Sequence, residues 1–343
     1  MELHTLGRTG IKVSPLCLGA MMFGSWGNPD HDESIRIIHR AVDAGINFID
    51  TADVYSEGES EIIVGKALAS LDRSRVVLAT KVHAAFGDDP NSQGNSRRWI
   101  IAECENSLRR LGVDYIDLYQ IHRPDELTDI DETLSALSDL VHAGKVRSIG
   151  SSTFPAHQMV EAQWVADRRG HERFRTEQPP YSILVRGVER DVLPVAKAYG
   201  MGVIPWSPLA GGWLSGAFGA GKKNTSRRAA RIPTRYDLSI PSNQRKLEIV
   251  IELAQLAEEA GLTLIEMSLA FVLEHPAVSA AIIGPRTMEQ LESQLSAPDV
   301  RLEASLLDRI DEIVAPGTNV NADDVGWKPA DLVDPRKRRR HFR

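Results

Sequence analysis

Cysteine is close to absent: Cys17 and Cys104 are the only two among 343 residues. Neither stands in a C-x-x-C or Cys/His spacing, which excludes a disulfide framework and a structural zinc site, and both are read as free, buried thiols. No apolar run approaches the ~20 residues that a membrane helix requires. The opening residues Met-Glu-Leu-His-Thr-Leu carry no signal-peptide core, so a cytoplasmic protein with no membrane partner is expected. Positive charge is scarce outside the last nine residues. Residues 335–343 hold six Lys and Arg and no acid, leaving 34 basic against 47 acidic residues elsewhere. A body that acidic is a poor match for nucleic acid. Also missing are a G-x-G-x-x-G between strand and helix and a Walker sequence, the two familiar glycine-rich phosphate cradles.

What is present is ordinary for a folded chain, 42% hydrophobic and 25% charged. After a hairpin over residues 2–13, turning at Gly7-Arg8-Thr9-Gly10, short apolar runs alternate with helical patterns. The runs predict strands at 16–22, 47–52, 76–82, 115–122, 146–152, 176–178, 202–206 and 280–284. Between them, residues such as Ile35, Ile38, Ala41 and Val42, then Ile62, Ile63 and Leu68, then Ile100, Ile101, Cys104 and Leu108, form single apolar helix faces. Strands apolar throughout are buried on both faces, as in a parallel sheet under helices. Eight such cycles predict an α/β fold: one (β/α)8 TIM barrel over residues 1–315, with its active site at the C-terminal ends of the strands. Residues 316–343, with Pro316-Gly317, Pro329 and Pro335, read as a tail that is basic at its end. Residues 210–242 are too long for an ordinary connection and are expected to be functional or disordered. They carry Gly211, Gly212, Gly216, Gly219 and Gly221, then Lys222, Lys223, Arg227, Arg228, Arg231 and Arg235.

The strand ends of such a barrel carry chemistry. The second strand ends near Asp50, with Tyr55 five residues on; the third ends at Lys81 and the fourth at His122. Taken singly, each has an ordinary structural explanation. Together they bring an acid, a phenol, an amine and an imidazole to one rim. A phenol titrates near pH 10, too high for an effective acid at neutral pH. A neighbouring ammonium favours the phenolate, and a carboxylate keeps that ammonium charged. The set suits proton donation to a carbonyl oxygen. It has no nucleophile–base pair for acyl transfer, and a metal site is not expected. A carbonyl so polarised needs an electron donor, and a nicotinamide is the economical one. Ile283-Gly284-Pro285-Arg286-Thr287 ends the eighth strand and opens a helix where a phosphate is expected to bind, and Trp206 offers a flat face for stacking.

These residues resemble the aldo-keto reductases, over nearly the whole chain. Asn47-Phe48-Ile49-Asp50-Thr51-Ala52-Asp53-Val54-Tyr55 is similar to the family's most specific signature. The resemblance implies a catalytic tetrad of Asp50, Tyr55, Lys81 and His122, all four present. It implies an NADPH site in which Asp50, Ser152, Thr153 and Gln178 lie near the carboxamide and Trp206 stacks on the nicotinamide. Ser207, Pro208, Leu209 and Gly211 would line the pyrophosphate, and Gly284, Arg286, Gln290 and Gln294 the 2′-phosphate and adenine. Thr153 stands where the family usually has asparagine, Gln294 likewise, and Ala217 where related chains have lysine. Trp26, Phe86 and the 210–242 segment are substrate candidates by position. The expected function is NADPH-dependent reduction of a small-molecule aldehyde or ketone. The alternative is a non-catalytic, cofactor-binding regulatory subunit, because some family members are channel-associated proteins. Neither the particular substrate nor the oligomeric state is written in these motifs.

Overall fold

The computed structural model describes residues 1–218 and 232–337. A short antiparallel hairpin, β1 (His4–Thr5) and β2 (Lys12–Val13), precedes eight parallel strands. These are β3 (Leu16–Gly19), β4 (Phe48–Asp50), β5 (Val77–Val82), β6 (Ile116–Ile121), β7 (Val146–Ser152), β8 (Thr176–Gln178), β9 (Gly202–Val203) and β10 (Ala281–Ile283). They pair in sequence order, with β10 returning beside β3. A Val203–Val278 bridge joins the remaining edges, and the Ser279 and Ile282 amides donate to the Val203 and Pro205 carbonyls at 2.8 and 2.9 Å. The ring is a (β/α)8 barrel. Its strands are shorter than the apolar runs suggest: Ala20–Met22 leave the sheet, and β9 stops before Pro205, which has no amide to donate.

Helices α1 (His31–Asp43), α2 (Glu59–Leu68), α3 (Arg97–Leu111), α4 (Ile130–His142), α5 (Ala156–Arg169), α6 (Val192–Tyr199), α7 (Pro241–Glu259) and α8 (Leu264–Glu274) form the outer layer. Their ends follow local chemistry: Asp30, Ser96 and Asp129 cap α1, α3 and α4, while Gly112 and Gly170 end α3 and α5 in the left-handed region. The α1 face is as expected, Ile38 and Ala41 buried and Ile35 and Val42 packed against the core, with Ile37 buried beside them; on α2, Ile62 departs from the expected face and is 40% exposed.

Period two along each strand sorts residues into two cores. Cys17, Phe48, Val77, Ala79, Leu118, Ile204 and Ile282 fill the barrel interior, plugged from below by Leu6 and Val13 of the hairpin. Leu18, Ile49, Leu78, Tyr119, Ile121 and Ile149 face the helices. Gly7 sits at φ 54°, and a Cβ there would lie 2.4 Å from the Gly202 nitrogen, so the plug fits only as glycine.

The segment after residue 315 is more ordered than a tail. The Arg186 amide donates to the Thr318 carbonyl at 2.7 Å and the Val320 amide to the Leu184 carbonyl at 3.0 Å. Asn321 donates to Asn243, and Asp324 pairs with the fully buried Lys246 at 2.9 Å. Of the 210–242 segment, Trp213 stacks between Phe218 at 4.2 Å and Tyr236 at 6.0 Å. Gly219, Gly221, Lys222, Lys223, Arg227, Arg228 and Arg231 lie outside the described residues, as do residues 338–343.

Candidate active site

The inward positions of neighbouring strands turn polar one layer above the apolar interior. On β4 this is Asp50, two residues after Phe48; on β5 it is Lys81, two after Ala79; on β6 it is Gln120, two after Leu118. Lys81 is fully buried, and its ammonium donates to Asp50 Oδ2 at 2.6 Å, to the Thr51 carbonyl at 2.8 Å and to Tyr55 Oη at 3.1 Å. Burial works against that charge, but the Asp50 carboxylate and the Tyr55 phenol outweigh it and hold the lysine above its ordinary value. The other carboxylate oxygen, Oδ1, accepts from Gln178 Nε2 at 2.9 Å and Gln120 Nε2 at 3.1 Å. Asp50 is therefore fully engaged, and Lys81 stays an ammonium.

Tyr55 reaches the site from a strained turn. Ser56, Glu57 and Gly58 follow it in the left-handed region at φ 50°, 57° and 89°. Ser56 Oγ donates to the Phe23 carbonyl at 3.1 Å and accepts from the Trp26 amide at 3.1 Å, while Glu59 accepts from the Ser25 amide at 2.8 Å. These bonds tie the turn to the loop after β3 and offset strain that ordinarily costs about 1–3 kcal/mol per residue. The Tyr55 ring stands edge-on to His122, centroids 5.7 Å apart, with Trp26 at 6.1 Å on another side. Burial first, then the charges of Arg123 and Lys81, push the His122 imidazole well below its usual range, so it is neutral at pH 7.

The rim beyond holds the other expected residues. Ser152 Oγ donates to the Gln178 carbonyl at 2.9 Å, and Thr153, at φ 60°, accepts from Trp206 Nε1 at 3.3 Å. The Trp206 indole is half-buried, and Gly326 packs so closely that a Cβ there would lie 2.5 Å from its ring. Ser207, Ala210 and Gly211 all adopt left-handed backbone, at φ 56°, 51° and 68°; Pro208 is buried and Leu209 half-buried between them. Gly284 is exposed, with open space where a Cβ would be. Arg286 has no ion-pair partner among the described residues. The helix after it, α9 (Met288–Glu292), has only five residues, shorter than the sequence suggests. The Arg286 and Gln290 amides are already accepted by Gln290 Oε1 and Thr287 Oγ1, while the Arg286 guanidinium makes no hydrogen bond among the described residues. Gln294 is buried and donates to the Gln290 carbonyl. Phe86 lies over Arg110, 5.2 Å from the guanidinium, beside the Gly58 turn. Gln120 is the residue that sequence reasoning missed. Its signal was there: a glutamine two positions before His122, in an otherwise apolar run, shares the inward face.

A β/α barrel whose rim joins phenol, ammonium, carboxylate and neutral imidazole belongs to the class of proteins that act on carbonyl groups. The chain belongs to the aldo/keto reductase family, whose model matches residues 15–315. It is 42% identical over 324 residues to an uncharacterized oxidoreductase, YrpG, of Bacillus subtilis, covering 91% of this chain and 96% of that one. A versiconal hemiacetal acetate reductase of Aspergillus parasiticus is 34% identical over 92% of this chain and 98% of its own. A putative voltage-gated potassium channel subunit beta of Schizosaccharomyces pombe is 35% identical over 90% and 92%. Family and relatives together support an oxidoreductase of carbonyl groups. Among the described residues no helix is long and apolar enough to cross a membrane.

Proposed function

We propose that the protein reduces an aldehyde or ketone to the alcohol with NADPH, and that Tyr55 donates the proton. One observation carries the reading. Lys81 Nζ, fully buried, touches both Asp50 at 2.6 Å and Tyr55 Oη at 3.1 Å. An ammonium so placed stabilises the phenolate left once the proton has moved, and the carboxylate holds the ammonium in position. His122, neutral, supplies a ring N–H to the same carbonyl oxygen and orients it over the phenol.

The residues around the site fit a nicotinamide dinucleotide. Trp206 keeps an indole partly open at the rim, the Ser207 amide makes no hydrogen bond among the described residues, and Arg286 is a guanidinium without an anion. Gln178 has its amide nitrogen committed to Asp50 and Gln120, which leaves Oε1 to accept from a carboxamide. Ser152 and Thr153 stand beside it. Ser207, Pro208, Leu209 and Gly211 would hold the pyrophosphate, and Gly284, Arg286, Gln290 and Gln294 the adenosine end; an arginine there favours NADPH over NADH. When bound, the reduced nicotinamide supplies the electron pair and hydrogen that the carbonyl carbon accepts.

The beta-subunit relatives keep a second reading in play, a cofactor-binding protein without turnover. Purified protein incubated with NADPH and a panel of aldehydes and ketones separates the two. Carbonyl-dependent loss of NADPH absorbance supports the reductase; cofactor binding without turnover on any carbonyl supports the regulatory subunit.

A further inference from the structure

Arg123 follows His122 at the end of β6, and its side chain makes no hydrogen bond to Asp50, Tyr55 or Lys81 among the described residues. Its Nη1 donates to the His122 carbonyl at 2.5 Å and lies 3.4 Å from Ser152 Oγ, so the guanidinium spans the mouth between β6 and β7 beside the tetrad. Among the described residues no carboxylate pairs with it, and Nε and Nη2 make no hydrogen bond. The acids nearby are committed. Buried Glu177 accepts from Ser151 Oγ at 2.5 Å and the Phe154 amide at 3.1 Å. Asp324 is held by Lys246 at 2.9 Å, Asp323 by Lys328 at 2.6 Å, and Glu126 accepts the Ala330 amide at 3.1 Å. Burial, with Arg235 adding to it, disfavours the Arg123 charge, while only Tyr55 and Glu177 act at a distance to support it. A half-buried guanidinium with free donors and no partner, next to the reacting group, is a built receptor for an anion.

We propose that Arg123 binds a carboxylate carried by the substrate, which makes the favoured substrates aldehydes or ketones that also bear an acid group. The proposal rests on the carbonyl-reductase reading. A guanidinium meets a carboxylate bidentately where a lysine offers only a point charge, and hydrogen bonds to charged groups correspond to about ten- to a hundredfold in affinity. Lys81 is fully buried with its ammonium engaged by Asp50, Thr51 and Tyr55, and Arg235 is tied to the Asp323 carbonyl and Asp324, which leaves Arg123 as a cation beside the tetrad with donors unused.

The test compares matched pairs on full-length wild type, Arg123→Gln and Arg123→Lys: butanal against succinic semialdehyde, and benzaldehyde against 4-carboxybenzaldehyde. Wild type should show a kcat/KM at least about tenfold higher for the acid-bearing member of a pair. Arg123→Gln should erase that preference by raising KM for the acids, with Arg123→Lys intermediate. Benzoate, an anion with no carbonyl, should compete with substrate in wild type and about tenfold more weakly in Arg123→Gln. Equal kcat/KM for both members in wild type, or an equal loss on both in Arg123→Gln, overturns the proposal and leaves the reductase reading intact. Turnover of none of the four overturns that reading, and the proposal with it.

Discussion

Lys81 has no solvent contact, and an ammonium that deep is costly unless its charge is answered. Asp50 answers it, and the two glutamines on Asp50 Oδ1 finish the network. The sequence showed Asp50 and Lys81 because they end successive strands, and Gln178 through the family resemblance; Gln120 stayed hidden because a glutamine within an apolar run carries no motif. Arg286 is the other informative residue. On the proposed NADPH reading its guanidinium, unpaired among the described residues, would hold the 2′-phosphate, a charge-assisted contact of about 1.5–3 kcal/mol. Arg286→Ala should weaken NADPH binding by roughly ten- to a hundredfold and leave NADH within a few-fold. Titration of each cofactor by tryptophan fluorescence reads this, and equal losses for both would refute the assignment.

Among the elements, the turn from Tyr55 to Gly58 decides where the phenol points. Gly58 sits at φ 89°, and an added Cβ would meet Arg110 Cδ at 2.9 Å. Arg110 cannot easily yield, because it is clamped by buried Glu61 at 2.6 Å and by buried Glu103. Gly58→Ala should cost about 1–2 kcal/mol of stability from left-handed strain alone and lower kcat more than it raises KM for cofactor. Thermal melting and steady-state kinetics on the same preparation check both; an unchanged kcat would show that the turn does not position Tyr55. Strand identities were legible in the sequence because continuous apolar runs mark buried parallel strands. Their ends were not, since departure from a sheet at Ala20 or Pro205 depends on which partner amides remain. This left-handed turn was equally invisible: it is anchored from outside, by Phe23 and Trp26 on Ser56 and by Ser25 on Glu59.

At the scale of the molecule, the polar segment after residue 315 has no periodic pattern to announce it, yet it docks across the rim through Arg186, Lys246 and Trp206. Its attachment is made of backbone bonds and ion pairs, which hydropathy does not reveal. Global stability should also depend on pH through Glu177, whose carboxyl burial lifts from 4.5 to about 7, its hydrogen bonds opposing. The unfolded chain gives up that proton near pH 4.5 and the folded one near 7. Between those values the native state holds more protons, so this carboxyl makes stability fall as pH rises through the window and level off above it. Glu177→Gln keeps an acceptor for the Phe154 amide and removes the buried charge. It should gain about 1–3 kcal/mol at pH 8 and far less at pH 4.5, read by urea unfolding. An identical difference at both pH values would rule out burial of the Glu177 charge as the cause.

The central claim is that Tyr55, backed by Lys81, delivers the proton to the carbonyl oxygen. Its most direct test is single-turnover carbonyl reduction by Tyr55→Phe, with NADPH binding measured in parallel. Removing the phenol hydroxyl should leave cofactor affinity within a few-fold and slow reduction by about 10²–10⁴. Reduction at a near wild-type rate, by a variant that binds NADPH normally, would contradict the claim.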